Sequence, residues 1–215
     1  MDRSRLEAFS DGVFAVAITL LALNLTVAGP GLHHPKLIDQ LGAHWPSFVA
    51  YLISFFYIGI IWVNHHVLIR SIKVVNRTLL FVNLVLLLFV VLIPFSTGLV
   101  AQYLYHSLND VDTRVAMVLY CAVFLGMAVG FGAIFEWTLH GERVYQPVPR
   151  ERHWAARIRF VGGGGVYVLA IVVAVVNAIA AFVIIGVVAL YYIFENAPTS
   201  SGETDAPEST GDDGP

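Results

Sequence analysis

Two neighbouring histidines, His65 and His66, and a Ser10-Asp11 pair are the residues of this chain best equipped for chemistry. Imidazole titrates near neutral pH, so histidines beside a carboxylate can relay protons. Histidines also bind metals and haem, and a serine, a carboxylate and an imidazole together can form a hydrolase triad. Ser10 and Asp11 are adjacent, however, and no glycine-rich nucleophile elbow surrounds the serine, so the triad finds no support. Adjacent residues on a helix point about 100° apart, so His65 and His66 do not readily converge on one metal. No His-Glu-x-x-His pattern is present, and the single cysteine, Cys121, excludes a cysteine-based zinc cluster and an internal disulfide. A proton relay through Asp11, His65 and His66 remains open, as does a haem or metal protein. A third reading is structural. Trp62, His65 and His66 stand at i, i+3 and i+4 and share a helix face. With Ser10, Asp11 and Asn83 they offer a carboxylate, two imidazoles, an indole N–H, a hydroxyl and an amide, enough to satisfy one another in lipid.

Lipid is where the elements that carry these residues belong. Of 215 residues, 58% are hydrophobic and 13% charged, about half the charged share of a soluble domain, and the mean hydropathy is +0.76. A soluble fold of this size could not cover so much apolar surface. Crossing a ~30 Å hydrocarbon core takes about 17–25 residues. The chain predicts an all-α membrane protein with six transmembrane helices, over about 6–27, 45–69, 79–105, 114–139, 160–177 and 178–194. The last two come from a 35-residue apolar run, Phe160–Phe194, far too long for one crossing, with Asn177 at its middle to mark a hairpin. The glycines at 162–165 weaken the start of the fifth helix. On this count Arg3, Arg5, Arg70, Lys73, Arg77, Arg143, Arg150, Arg152, Arg157 and Arg159 lie on one side, and only Lys36 and Arg114 on the other. That asymmetry places both termini in the cytoplasm. Residues 196–215 are Pro, Gly, Ser, Thr and acidic residues and are expected to form a disordered acidic tail. No basic run resembles a nucleic-acid patch. Arg-rich inner loops and a lone cysteine fit a bacterial inner (plasma) membrane.

The first helix has two faces. At 100° per residue, Ser10 and Asp11 lie roughly 120–140° from Val16. Val16, Leu20, Leu23 and Val27 form a stripe at i, i+4, i+7 and i+11, bordered by Gly12 and Thr19. Spacing alone favours a stripe that simply meets lipid or a neighbouring helix, because every residue nearby is also apolar.

The head of this helix, Arg5-x-x-x-Phe9-Ser10-Asp11-Gly12-Val13-Phe14-Ala15 followed by Ala17-Ile18-Thr19-Leu20-Leu21, resembles the signature of the transmembrane protein 175 family. These are endolysosomal potassium channels and their prokaryotic relatives. Phe56, Tyr57, Gly59, Ile60, Trp62, His65 and His66 are similar to that family's second helix, and Leu92-Ile93-Pro94-Phe95-Ser96-Thr97 to its third. The likeness covers most of residues 5–195. It implies a homotetramer of six-span subunits, with membrane lipid and monovalent cations as the other partners and no cofactor beyond permeant potassium. The first helix would line the pore, with Val16, Leu20 and Leu23 at its constriction and Thr19 as the adjacent hydroxyl. The resemblance assigns Arg5, Ser10, Asp11, Trp62, His65, His66 and Asn83 to a structural polar network. One departure concerns selectivity: Val16 stands where the family usually carries isoleucine, so a ring of four is wider or wets more easily. No catalytic step and no bound metal are implied.

Overall fold

The computed structural model describes residues 2–25, 36–140, 143–145 and 150–195, the side chains of 150–162 and 193–195 excepted. Seven helices occur among them: α1 (Arg3–Leu23), α2 (Leu37–Ala43), α3 (Trp45–Ser71), α4 (Arg77–His106), α5 (Val111–Thr138), α6 (Arg150–Val176) and α7 (Ala178–Glu195). The sequence predicts six. The additional one, α2, has 7 residues and is too short to cross a bilayer. Helices α1, α3, α4 and α5 are long and apolar enough to span, and Gly163–Val176 and Ala178–Tyr192 are shorter apolar helices. The acidic tail and the end of the first predicted span lie outside the described residues.

Local chemistry sets most boundaries. Pro46 sits in the first turn of α3, where its missing N–H costs nothing. Asn76 caps α4 by accepting from the Leu79 N–H at 2.9 Å. Asp110 caps α5 through the Thr113 N–H at 2.8 Å, and its hydrogen bonds from Thr113 hold the carboxyl below the usual carboxylate range. Between α6 and α7 only Asn177 intervenes. Its Oδ1 accepts from Ala180 N at 3.0 Å, while Asn109, in the α4–α5 turn, bridges Val176 O and Ala178 N. Helix α6 begins at Arg150, earlier than the expected start near 160, and the glycine run lies inside it. Close packing offsets the low helix propensity there: a Cβ on Gly163 would stand 2.8 Å from the Tyr192 hydroxyl.

The core forms around α4 and α5, the most extensively packed pair. Gly126 and Gly130, one turn apart on α5, let the backbones approach. A Cβ on Gly130 would lie 2.9 Å from the Leu86 Cα, and one on Gly126 would collide with the Phe89 ring. The Ser54 hydroxyl meets Thr97 Oγ1 at 2.7 Å and Tyr120 OH at 2.8 Å, joining α3, α4 and α5. Tyr57 donates from α3 to the Ile185 carbonyl of α7 at 3.2 Å. These buried hydroxyls need partners because hydrocarbon supplies none. At one end of the bundle the segments after α3 and α5 meet in an antiparallel bridge, Ile72 with Val144. Against this core α1 packs on α3 and α4.

Candidate functional site: the two faces of helix α1

Helix α1 buries Leu6, Ser10, Phe14, Ala17 and Leu21, a stripe at helical spacing. Ser10 is the polar member. Its hydroxyl donates to the Leu6 carbonyl at 2.9 Å and accepts from Asn83 Nδ2 of α4 at 3.0 Å. The Asn83 carbonyl oxygen faces His65 Nε2 of α3 at 2.7 Å, and the Phe14 ring covers the same imidazole at 5.4 Å between centroids. Ser10, Asn83 and His65 are all buried. One chain of hydrogen bonds thus ties three helices together at the end of the bundle where α1 and α4 begin and α3 ends.

A second, partly exposed layer lies beside it. Trp62 Nε1 donates to Asp11 Oδ1 at 2.9 Å. His66 Nδ1 stands 3.0 Å from Glu7 Oε1, close enough for an ion pair although the contact lacks hydrogen-bond geometry. Arg70 reaches the far ring nitrogen of His66 at 3.5 Å, and Arg3 donates to the Arg70 carbonyl at 3.0 Å. Glu7, Asp11 and His66 hold ligand atoms within 4.8 Å of one another. Each already has a polar neighbour within the protein, and the nearby Arg70 guanidinium opposes a further cation, so the cluster is organised as a polar knot.

The structure therefore brings together six of the seven network residues anticipated from sequence: Ser10, Asp11, Trp62, His65, His66 and Asn83. Arg5 is exposed and takes no part in these bonds. Glu7, Arg3, Arg70 and Phe14 join instead. Glu7 was readable in principle, because it precedes Asp11 by four residues and shares its face. The role of Arg3 depends on where α3 ends, which periodicity does not locate.

The opposite face of α1 is uncovered. Val16 is 55% exposed, Leu20 38% and Leu23 71%, and Gly12, Ala15 and Thr19 are exposed between them. Thr19 Oγ1 donates to the Val16 carbonyl at 2.8 Å, leaving its lone pairs directed outward. This geometry fixes α1 to its own bundle by one face and presents the other to something outside the subunit.

Comparisons with known proteins define the family. Residues 5–94 match the family model described as the endosomal/lysosomal potassium channel TMEM175. A Streptomyces collinus protein named as a potassium channel is 40% identical over 212 residues, covering 96% of this chain and 98% of that protein. A Chamaesiphon minutus relative, also named as a potassium channel, is 33% identical over 193 residues, 89% of this chain and 93% of its own. A crystal structure of a lysosomal potassium-selective channel TMEM175 homolog from the same organism superposes with a TM-score of 0.76 at 32% identity, covering 90% of this chain and 97% of the other. A mouse relative named as an endosomal/lysosomal proton channel is 32% identical over 134 residues, 58% of this chain and only 27% of that longer protein. The Arg-x-x-x-Phe-Ser-Asp head, the helical architecture and near end-to-end similarity to bacterial relatives agree: the chain belongs to the TMEM175 family.

Proposed function

We propose that four copies of this chain form a potassium-permeable cation channel, with α1 of each subunit lining a central pore. Each subunit crosses the membrane six times with both termini in the cytoplasm. Val16, Leu20 and Leu23 make stacked apolar rings, with Thr19 between them. The observation that carries this reading is the division of α1: its polar face is consumed by bonds to α3 and α4, while a continuous apolar stripe with one hydroxyl is left bare. The names of the full-length bacterial relatives support potassium as the permeant ion.

The mechanism follows from the lining. An apolar ring has no carbonyl cage to replace an ion's hydration shell, so passage depends on the cost of shedding or squeezing water. Potassium holds its water less tightly than sodium and crosses at lower cost. A narrow apolar ring also dewets, which closes the pore without a moving lid. Conduction is passive and uses no cofactor or catalytic step. The four-fold ring of Val16 is less bulky than one of isoleucine, so this channel discriminates less sharply than relatives with the larger residue. The membrane is a bacterial inner membrane, consistent with the bacterial sources of the two relatives matched almost end to end.

The test is flux from liposomes holding purified protein. Potassium efflux well above sodium efflux, without saturation by substrate, is the expected result. Equal rates for both ions with no effect of Leu20 substitution would overturn the assignment. Because the mouse relative is named as a proton channel, the same liposomes are assayed with an internal pH dye. Uptake that saturates and follows an imposed pH gradient would instead identify a proton-coupled transporter using Asp11, His65 and His66.

A further inference from the structure

At the end of α1 opposite the polar knot stands Asn24, the C-cap residue, one position beyond Leu23. Its side chain donates from Nδ2 to the carbonyl of Pro94 in the middle of α4, at 2.7 Å. The site on α4 suits it. Pro94 and Gly98 are one turn apart, and the glycine leaves a hollow into which the Asn24 amide fits. A Cβ at position 98 would stand 3.0 Å from Asn24 Oδ1 and 3.2 Å from its Cγ, closer than side-chain carbons ordinarily approach. The Pro94 oxygen has two lone pairs, so it can accept this bond beside its place in the helix. Leu21 is the last fully buried side chain of α1, and beyond it Leu23 is 71% exposed. A recess of about 620 Å³ opens beside Leu23 and Asn24, lined also by His44, Phe95, Gln102 and Tyr105. That space leaves the helix end beyond Leu21 without close packing on one side.

We propose that Asn24 is a positioning residue for the outermost ring of the pore. Seated against Gly98 and bonded to the Pro94 carbonyl, it fixes the distance of Leu23 from the channel axis and so the width of that ring. The inference rests on the pore reading above and deepens it. The knot holds the inner end of α1 through several polar contacts, whereas beyond the buried Leu21 the outer end adds one side-chain hydrogen bond to α4 among the described residues.

Reversal potentials of reconstituted channels test it, with tetramer recovery and melting temperature recorded for every variant. Asn24→Ala is expected to lower the potassium-to-sodium permeability ratio at least about twofold, the change that a coupling at the lower end for contacting residues produces. Gly98→Ala displaces the amide without deleting it and is expected to shift the ratio in the same direction. Once Asn24 is alanine, nothing remains for the new methyl to push, so the double variant matches Asn24→Ala alone. Leu23→Ala is the control that separates the two readings. If Leu23→Ala leaves the ratio unchanged, the pore assignment fails at this ring, and the positioning role fails with it. If Leu23→Ala moves the ratio while Asn24→Ala and Gly98→Ala lower only melting temperature or recovery, Asn24 is merely structural and the proposal alone is overturned. Additive effects in the double variant would also overturn it.

Discussion

The buried and bare faces of α1 respond to different disturbances, because one is held by partners and the other by nothing in its own subunit. On the buried face polar side chains answer one another: Ser10 to Asn83, Asn83 to His65, Asp11 to Trp62. On the bare face the side chains are interchangeable as far as the subunit is concerned, and any constraint on them comes from what passes or packs outside. Substitutions on the first face should therefore act on stability and assembly, and substitutions on the second on ion discrimination.

The largest effect is expected from Asn83→Leu. It leaves His65 Nε2 and the Ser10 hydroxyl buried without their partner. An orphaned buried polar group costs about 1–3 kcal/mol, and interhelical bonds in membranes sit toward the low end, so a loss of about 2 kcal/mol is expected. Thermal unfolding in detergent reads it. On the proposed assembly, tetramers that survive should keep the ion preference of the unsubstituted protein. Survivors of normal stability but altered selectivity would erase the division between the faces.

Leu20→Asn and Val16→Asn come next and should do the reverse. An amide in an apolar ring wets it, so the potassium preference is expected to fall toward parity, about 1.4 kcal/mol for each tenfold of discrimination lost. Because both positions are exposed in the subunit, stability should move by no more than about 0.5 kcal/mol. Reversal potentials in mixed potassium and sodium unchanged by both substitutions would remove the constriction from this stripe.

Asp11→Ala is a smaller test of the knot. Asp11 is half-buried and accepts from Trp62, itself 41% exposed, so about 1 kcal/mol is expected. Trp62→Phe removes the same bond from the other side. If the pair acts as one contact, the double variant loses no more than the costlier single change. Size-exclusion and melting measurements decide it, and flux selectivity in the assembled protein should not follow.

How far these faces were readable from sequence depends on the kind of signal each leaves. The split of α1 follows from angle alone, since Ser10 and Asp11 lie well away from Val16 at any helical pitch. Trp62, His65 and Asn83 fall with them because the alternation of spans brings the start of α1, the end of α3 and the start of α4 to one end. The family motif groups Arg5 with them, yet its side chain is exposed; a motif records co-occurrence, not direction. Glu7 lies outside that motif's network although its spacing from Asp11 marks it. Two features had no sequence signal strong enough to read. Helix α2 is a single short amphiphilic stretch, and α6 runs through glycines that propensity alone would take as a helix start. In α6 tertiary packing, the approach of Tyr192 to Gly163, outweighs local preference.

The smallest expected effect concerns the one residue that belongs to both descriptions. Thr19 lies on the bare face, but its hydroxyl proton is committed to the Val16 carbonyl one turn back. What it offers outward is therefore an acceptor, not a donor, which in the proposed pore would suit a cation that has lost part of its hydration between two apolar rings. Thr19→Val keeps the shape and removes that oxygen. Helix stability should be nearly unchanged, because a hydroxyl bonded back to its own helix contributes little there. Potassium flux is expected to fall by about twofold, with the potassium-to-sodium ratio moving less than for Leu20→Asn, since the apolar rings on either side still impose the main dehydration cost. Thr19→Ser restores the oxygen and should restore the flux. If serine and valine behave alike, the hydroxyl plays no part in conduction, and the bare face selects by its apolar rings alone.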